Sequence, residues 1–370
     1  MNFDLTEERQ MLQDGLRRFL RDQYTPDLLA QIETSDTGTS PEVWAGLADM
    51  GVIGALFTED QGGFGGAGFD IALVAEEMGR VGATDPLIDT GILGGGLIAA
   101  LGDEGQQAML DDIIAGTRQL ALAHGEPSSR YDLSRVETTA TDGKLTGRKA
   151  VVVNGGAADT LIVSARTAGD VADTDGISLF IVAADAPGLM RRSYPLTGGG
   201  HAAEITLDNT PGTLLGTAGQ GYAALATAHA RATLAISAEA VGLMDAVRTL
   251  TTDYLKTRKQ FGQPIGKFQA LQHRMADVLI EIEQARSAVI NLAGHLDADT
   301  QTRDTHVAAT KTLIGQVARL VAEESIQMHG GIGMTQEYAL GHLAKRLLMV
   351  DHRFGDTLYH MDKFIALAVA

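Results

Sequence analysis

Gln327–Asp356, QMHGGIGMTQEYALGHLAKRLLMVDHRFGD, joins the end of one helix to the start of another through glycine. A glycine cluster, Gly330-Gly331-Ile332-Gly333, closes a long helical pattern. An amphipathic helix with basic residues follows, and the stretch ends in the loop Arg353-Phe354-Gly355-Asp356. Backbone without side chains can approach a ligand closely, so GG-x-G after a helix is one way to build a nucleotide contact. A helix C-cap needs only one glycine, and that plainer reading stands beside the first until the rest of the chain is weighed.

The chain has 370 residues, enough for two or three domains with ample core. It carries 29 basic and 47 acidic residues, a net charge of -18 with His neutral, which argues against nucleic acid or an anionic membrane surface as a general partner. An anionic ligand therefore needs local basic residues. There is no cysteine, hence no disulfide, thiolate nucleophile or Cys-ligated metal. The ten His fall at irregular intervals, His329, His342, His352 and His360 among them, without metal-ligand spacing. The first thirty residues are amphipathic and acidic, unlike a secretory signal. No apolar run reaches the roughly 18 to 20 residues of a spanning helix. The expectation is a cytoplasmic protein with no membrane span.

Working outward, residues 1–118 read as a helical domain. Thr6 is an N-cap with Glu7 and Glu8 in the first turn, where the helix dipole favours anions, and Ser40 before Pro41 starts another helix that Gly51 stops. Glu59–Gly66 is a glycine-rich loop, a connector or a ligand contact. Between 119 and 218 the texture becomes β-rich, in runs such as Gln119–Ala123, Val136–Ala140, Ala150–Val153, Thr160–Ser164 and Ile177–Val182, with a hairpin signal at Asp142-Gly143. A small antiparallel barrel or sandwich is expected there. From 219 to 370 the 3.6-residue period returns. Leu271, Met275, Val278, Leu279, Ile282, Val289 and Leu292 share one face, and long helical stretches at 222–259, 269–297 and 303–329 suit a bundle. The fold class is α+β, mostly α, in the order helical, β, helical.

Arg258-Lys259-Gln260-Phe261-Gly262-Gln263-Pro264-Ile265, then Phe268-Gln269-Ala270-Leu271-Gln272, then Gln327-x-x-Gly330-Gly331-x-Gly333 together resemble the acyl-CoA dehydrogenase family. The Glu59-x-x-Gly62-Gly63-x-Gly65 loop, Asn154-Gly155 and Glu337-Tyr338 extend that resemblance over essentially the whole chain. It implies an N-terminal helical domain, a middle β-barrel and a C-terminal four-helix bundle. It also implies FAD shared between subunits, and α,β-dehydrogenation of an acyl-CoA as part of acyl-chain or dicarboxylate oxidation. In that scheme Arg258, Phe261, Gln269, Gln327, Gly330 and Gly331 are cofactor-binding residues reaching the flavin held by a neighbouring subunit. Arg258 offers a fork of donors for pyrophosphate, the two Gln can bond adenosine or ribose, and the glycines let backbone close on the cofactor.

The residues that the resemblance assigns to a subunit's own flavin are missing. The family's catalytic Glu, in a Tyr-Glu-Gly-Thr loop, lands on Phe354 of Arg353-Phe354-Gly355-Asp356. The alternative base position, aligned through Gly242-Leu243, is Ala232. In Gly125–Asp132, matching a Thr-Glu-Pro-x-x-Gly-Ser-Asp segment, Glu126, Pro127 and Asp132 remain while Arg130 and Tyr131 replace small residues. The Trp-Ile-Thr that packs on flavin reads Val151-Val152-Val153, taken here as ordinary buried strand. No catalytic residue is assigned. This pattern resembles the small, base-lacking subunit of a heteromeric enzyme of the pimeloyl-CoA dehydrogenase type, giving trans FAD contacts in an α2β2 assembly. Three other readings stand beside it: a self-sufficient homo-oligomeric dehydrogenase with Asp351 or Asp356 as a displaced base, a flavin monooxygenase on the same fold, and a scaffold without cofactor. Lys345-Arg346 reads as a solvated helix face.

Overall fold

The computed structural model describes residues 5–335 and 337–369. Seven helices come first: α1 Glu7–Gln23, α2 Pro26–Thr34, α3 Pro41–Asp49, α4 Gly68–Val81, α5 Gly96–Leu101, α6 Glu104–Gln107 and α7 Met109–Ile114, with a π-helical stretch, Ile88–Gly95, before α5. Eight strands follow: β1 Leu120–Ala123, β2 Thr139–Thr141, β3 Lys144–Val153, β4 Thr160–Arg166, β5 Ile177–Ala183, β6 Leu189–Pro195, β7 His201–Pro211 and β8 Thr213–Leu215. The rest is α8 Tyr222–Thr257, the two-residue strands β9 Lys259–Gln260 and β10 Gln263–Pro264, α9 Gln269–His295, α10 Thr300–His329, α11 Ala339–Met349 and α12 Thr357–Val369. Local chemistry sets the starts. Thr6 Oγ1 accepts from the Arg9 amide at 3.3 Å, Ser40 Oγ from Val43 at 3.3 Å with Pro41 at the first helical position, and Asp299 Oδ1 from Thr302 at 3.0 Å. Among the described residues no helix is long and apolar enough to cross a membrane.

The chain separates into two compact units. One comprises the residues up to Tyr24, Gly68–Ala83 and everything from Thr233. Here α1 is zipped onto α4 by ions: Arg9 to Asp70 at 2.6 Å and Arg17 to Glu77 at 2.6 Å, with Gln13 donating to Glu77 at 3.1 Å. α4 and α8 meet backbone to backbone. A Cβ at Gly79 would collide with the Glu239 carbonyl, and one at Gly242 with that of Glu76. Arg286 bridges Glu76 and Asp245, each at 2.7 Å, across α9, α4 and α8. Arg346, read above as solvated, instead pairs with Glu239 at 2.7 Å and is mostly buried, because α11 turns that side of the helix inward.

The other unit comprises Thr25–Ala67 and Thr84–Ala232. Its sheet runs β6-β7-β3-β2-β4-β5-β8, with β1 joining β4. Side chains from β1, β3, β4, β5 and β7, including Ala121, Leu145, Val163, Phe180 and Ile205, converge on one apolar core, the interior of an open barrel. The sheet is mixed rather than purely antiparallel, since β1 pairs β4 in parallel from Leu120↔Thr160 to Ala123↔Val163. The hairpin signal holds: Asp142 and Gly143 lie at φ 50 and 73 between β2 and β3. In the Glu59–Gly66 loop, a Cβ at Gly63 would strike the Gly54 and Phe57 carbonyls, so packing accounts for that glycine.

Candidate functional site

α8 gives out at Thr257 and the chain doubles back through β9 and β10, paired at Gln260↔Gln263. The connecting residues are Phe261 at φ 52 and Gly262 at φ 78. Two positive φ values suit a two-residue hairpin, because that turn matches the twist of the strands. Glycine adopts the conformation freely; a phenylalanine there costs on the order of 1 kcal/mol. Phe261 is 90% exposed, with its ring edge-on to that of Phe268 at 6.1 Å. Arg258 stands at the root of the hairpin. Its amide donates to Tyr254 O at 2.8 Å, its carbonyl accepts from Ile265 at 2.8 Å, and its side chain is exposed.

Gln269 opens α9 and Gln327 lies in the last turn of α10. The two helix ends adjoin, since Arg274 pairs with Glu324 at 2.6 Å. Gly330 turns the chain at φ 65, its amide donating to Gln327 and Ile326 carbonyls. A Cβ at Gly330, Gly331 or Gly262 would meet nothing within 4 Å; positive φ accounts for Gly330 and Gly262, neither packing nor φ for Gly331, whereas Gly333 sits tight against His329 and Leu340. Tyr254, one turn before Arg258, stacks on His329 with ring centroids 4.4 Å apart and planes at 24°. Arg258, Phe261, Gln269, Gln327, Gly330 and Gly331 thus lie at one end of the helical unit, all exposed. The family resemblance pointed to these six. It included Tyr338 in the Glu337-Tyr338 pair without a role, and gave no hint of Tyr254; both rings pack at this end against His329.

The loop before α12 keeps a constrained backbone. Phe354 has φ 59 and Gly355 φ 106, and a Cβ on Gly355 would collide with His360 and Tyr359. His360 Nε2 donates to Phe354 O at 2.8 Å, and Lys311 Nζ to Gly355 O at 2.7 Å and Asp351 O at 3.3 Å. Burial pulls His360 down to about 4, outweighing its bond to Phe354 O. Burial likewise lowers Lys311 to about 8 against the pull of Asp351 and Asp356. Phe354 is half-buried under the Arg353 guanidinium, 4.8 Å from its ring. Asp351 Oδ1 accepts from the amide and hydroxyl of Thr357 at 2.9 and 2.8 Å, and Asp356 Oδ1 from Tyr359 N at 2.8 Å. Both carboxylates are engaged in starting α12. In the other unit, Ala232 is fully buried.

On the barrel, Glu126 receives Lys149 Nζ at 2.6 Å and the amides of Glu137 and Thr138 at 2.6 and 3.0 Å. Burial opposes its ionisation, but Lys149 and these donors outweigh burial and hold the carboxyl below its ordinary value. Glu126 thereby anchors the start of β2 to β3. Val151 corrects the sequence reading. It is 58% exposed at φ 53, because the β3–β7 register shifts between Lys149 and Val152 and the bulge breaks the in–out alternation. Its amide points at Glu204 Oε1, 3.4 Å away, which also accepts Tyr194 Oη at 2.8 Å. Val152 alone of the three is deeply buried.

The N-terminal, middle and C-terminal domains of acyl-CoA dehydrogenase match residues 6–117, 121–210 and 218–361. The chain belongs to the acyl-CoA dehydrogenase family, an FAD-dependent family of oxidoreductases. It is 31% identical over 359 residues to a probable acyl-CoA dehydrogenase, YngJ, of Bacillus subtilis, covering 93% of each chain. Among solved structures, the Tcur3481-Tcur3483 steroid ACAD, a variant, superposes with a TM-score of 0.88 at 30% identity over 98% of both chains. The ChsE4-ChsE5 complex from Mycobacterium tuberculosis gives 0.89 at 25% identity, over 100% of this chain and 99% of that one. The two faces fit FAD unequally. Exposed Arg258 and the bare backbone at Gly330 and Gly331 suit an anionic dinucleotide. The bulge at Val151 offers an aliphatic side chain, and its amide faces a carboxylate.

Proposed function

We propose that this chain is the non-catalytic subunit of a heteromeric acyl-CoA dehydrogenase, giving trans contacts to FAD held by an unlike partner in an α2β2 assembly. The single observation that carries the reading is an asymmetry. The exposed end with Arg258, Phe261 and Gly330-Gly331 is built and uncovered, while Phe354 and Ala232 leave both base positions without a carboxylate. Asp351 and Asp356 cap α12, which speaks against a displaced base. Likeness to structures named for two gene products supports an unlike partner. The substrate class that goes with the family is an acyl-CoA thioester, and a cytoplasmic setting accords with the composition.

The test is flavin content. The chain purified alone should hold little FAD and turn over no acyl-CoA. Co-expressed with a base-carrying member of the family from the same genome, it should give a yellow complex with half a flavin per chain. Full occupancy and turnover by the lone chain would sink the proposal. Within the complex, Arg258→Ala should weaken FAD retention by about 1.5–3 kcal/mol, the range for a charge-assisted contact.

A further inference from the structure

The geometry points to His329 as a positioning residue for the cofactor contact, locking the glycine turn onto the Arg258 hairpin through Tyr254 and Tyr338. This rests on the reading that the exposed end touches FAD.

The turn is held by backbone bonds and by the packing of Gly333, with few inward side chains of its own. Gly330 and Gly331 lack side chains, and Ile332 and Met334 face outward. His329 is the last side chain before the glycines and is 4% exposed. Its Nδ1 lies 2.8 Å from Ser325 O; a carbonyl only accepts, so Nδ1 carries the proton. Nε2 lies 3.3 Å from Tyr338 Oη beyond the turn, and in the neutral ring it accepts from that hydroxyl. These contacts fix the plane of the ring, and burial lowers its pKa against the bonds to the Ser325 and Leu250 carbonyls, favouring the neutral form. One face lies on Tyr254, and the Tyr338 ring is tilted 51° at 5.3 Å.

These contacts join three chain positions. Tyr338 brackets the far end of the glycine turn, His329 the near end, and Tyr254 carries both to α8 one turn before Arg258. Tyr254 and Tyr338 also meet edge-on at 6.5 Å. A dinucleotide contact that uses a guanidinium from one helix end and backbone from another needs those ends in fixed relation, and small misplacements are costly in such sites. A leucine at 329 could close the helix by apolar burial but would not set a plane.

The test uses the co-expressed complex and reads FAD dissociation by recovery of flavin fluorescence, with melting of the flavin-free chain alongside. Tyr254→Leu should speed FAD loss at least tenfold, and Tyr254→Phe, which keeps the stack, less than twofold. Equal losses from the two variants would overturn the proposal. Arg258→Ala separates the premises: if it speeds FAD loss while Tyr254→Leu does not, the positioning role fails and the trans contact stands. If neither acts, the contact itself is wrong. Should Tyr254→Leu not fold, Tyr338→Phe carries the test. It removes only the hydroxyl that orients His329 and should raise FAD dissociation two- to fivefold with melting unchanged; no change in dissociation overturns the proposal.

Discussion

His360 reaches back six residues to donate Nε2–H to the carbonyl of Phe354 at 2.8 Å, holding a phenylalanine in a left-handed conformation. Because burial keeps this imidazole neutral down to about 4, it makes folding sensitive to acid. In the unfolded chain a His takes its proton near 6.5. Between that value and about 4 the unfolded state binds a proton that the native state does not, so stability is full above 6.5 and falls as the pH drops. The loss is about 3 kcal/mol over the window. His360→Gln keeps a donor for Phe354 O and does not titrate. Urea unfolding midpoints from pH 7.5 to 4.5 should fall less steeply for the variant; parallel curves would refute the assignment.

Lys311 acts in the opposite pH range. Its amine is lowered to about 8 by burial, whereas an unfolded lysine titrates near 10.4. From 8 to about 10.4 the unfolded chain holds the extra proton, so this group adds stability as the pH rises, about 3 kcal/mol in all. Lys149, also lowered to about 8 by burial against Glu126, titrates in the same window. The comparison of wild type with Lys311→Met isolates the residue. The gap between their unfolding free energies should widen from pH 8 to 10, and a constant gap would count against the buried charge.

Gly→Ala within a helix usually stabilises by roughly 0.5–1 kcal/mol. At Gly79 and Gly242 the sign should reverse, since each Cβ would collide with a backbone carbonyl across the α4–α8 contact. Neither carbonyl can move without shifting its helix, so each alanine should cost about 1–3 kcal/mol or more. Thermal melting decides it, and a rise in Tm for either variant would show the helices free to part.

Phe261→Asn places a residue that tolerates the left-handed region in the hairpin turn. The lone chain should gain about 1 kcal/mol, while flavin retention in the complex falls. A variant that melts higher and also keeps its flavin would remove Phe261 from the contact.

Caps, turns and motifs were legible because each is a local rule: Thr6, Ser40-Pro41, Asp142-Gly143 and the glycines after His329 all act within a few residues. Arg258, Gln269 and Gln327 came from the family resemblance rather than from any local rule, and the fold's antiparallel helices bring them to one end. What stayed hidden was non-local or irregular. The Val151 bulge depends on the register of β7, which no period in β3 reveals. The parallel β1–β4 pairing depends on which strand ends adjoin. Arg346 read as solvated because its partner, Glu239, lies 107 residues away. The π-helical stretch Ile88–Gly95 arises where Gly91, Gly94 and Gly95 accommodate Leu56, Leu120 and Phe57, and only the assembled unit shows that fit.

The bare turn at Gly330-Gly331 has a consequence for how the protein is made. With Phe261, Ile332 and Met334 exposed at the same end, a newly finished chain presents a patch that is apolar, unshielded and adhesive. Its concentration is then a hazard in its own right. Synthesis in step with whatever covers that end, from a shared transcript or at matched translation rates, would keep the patch from finding other chains first.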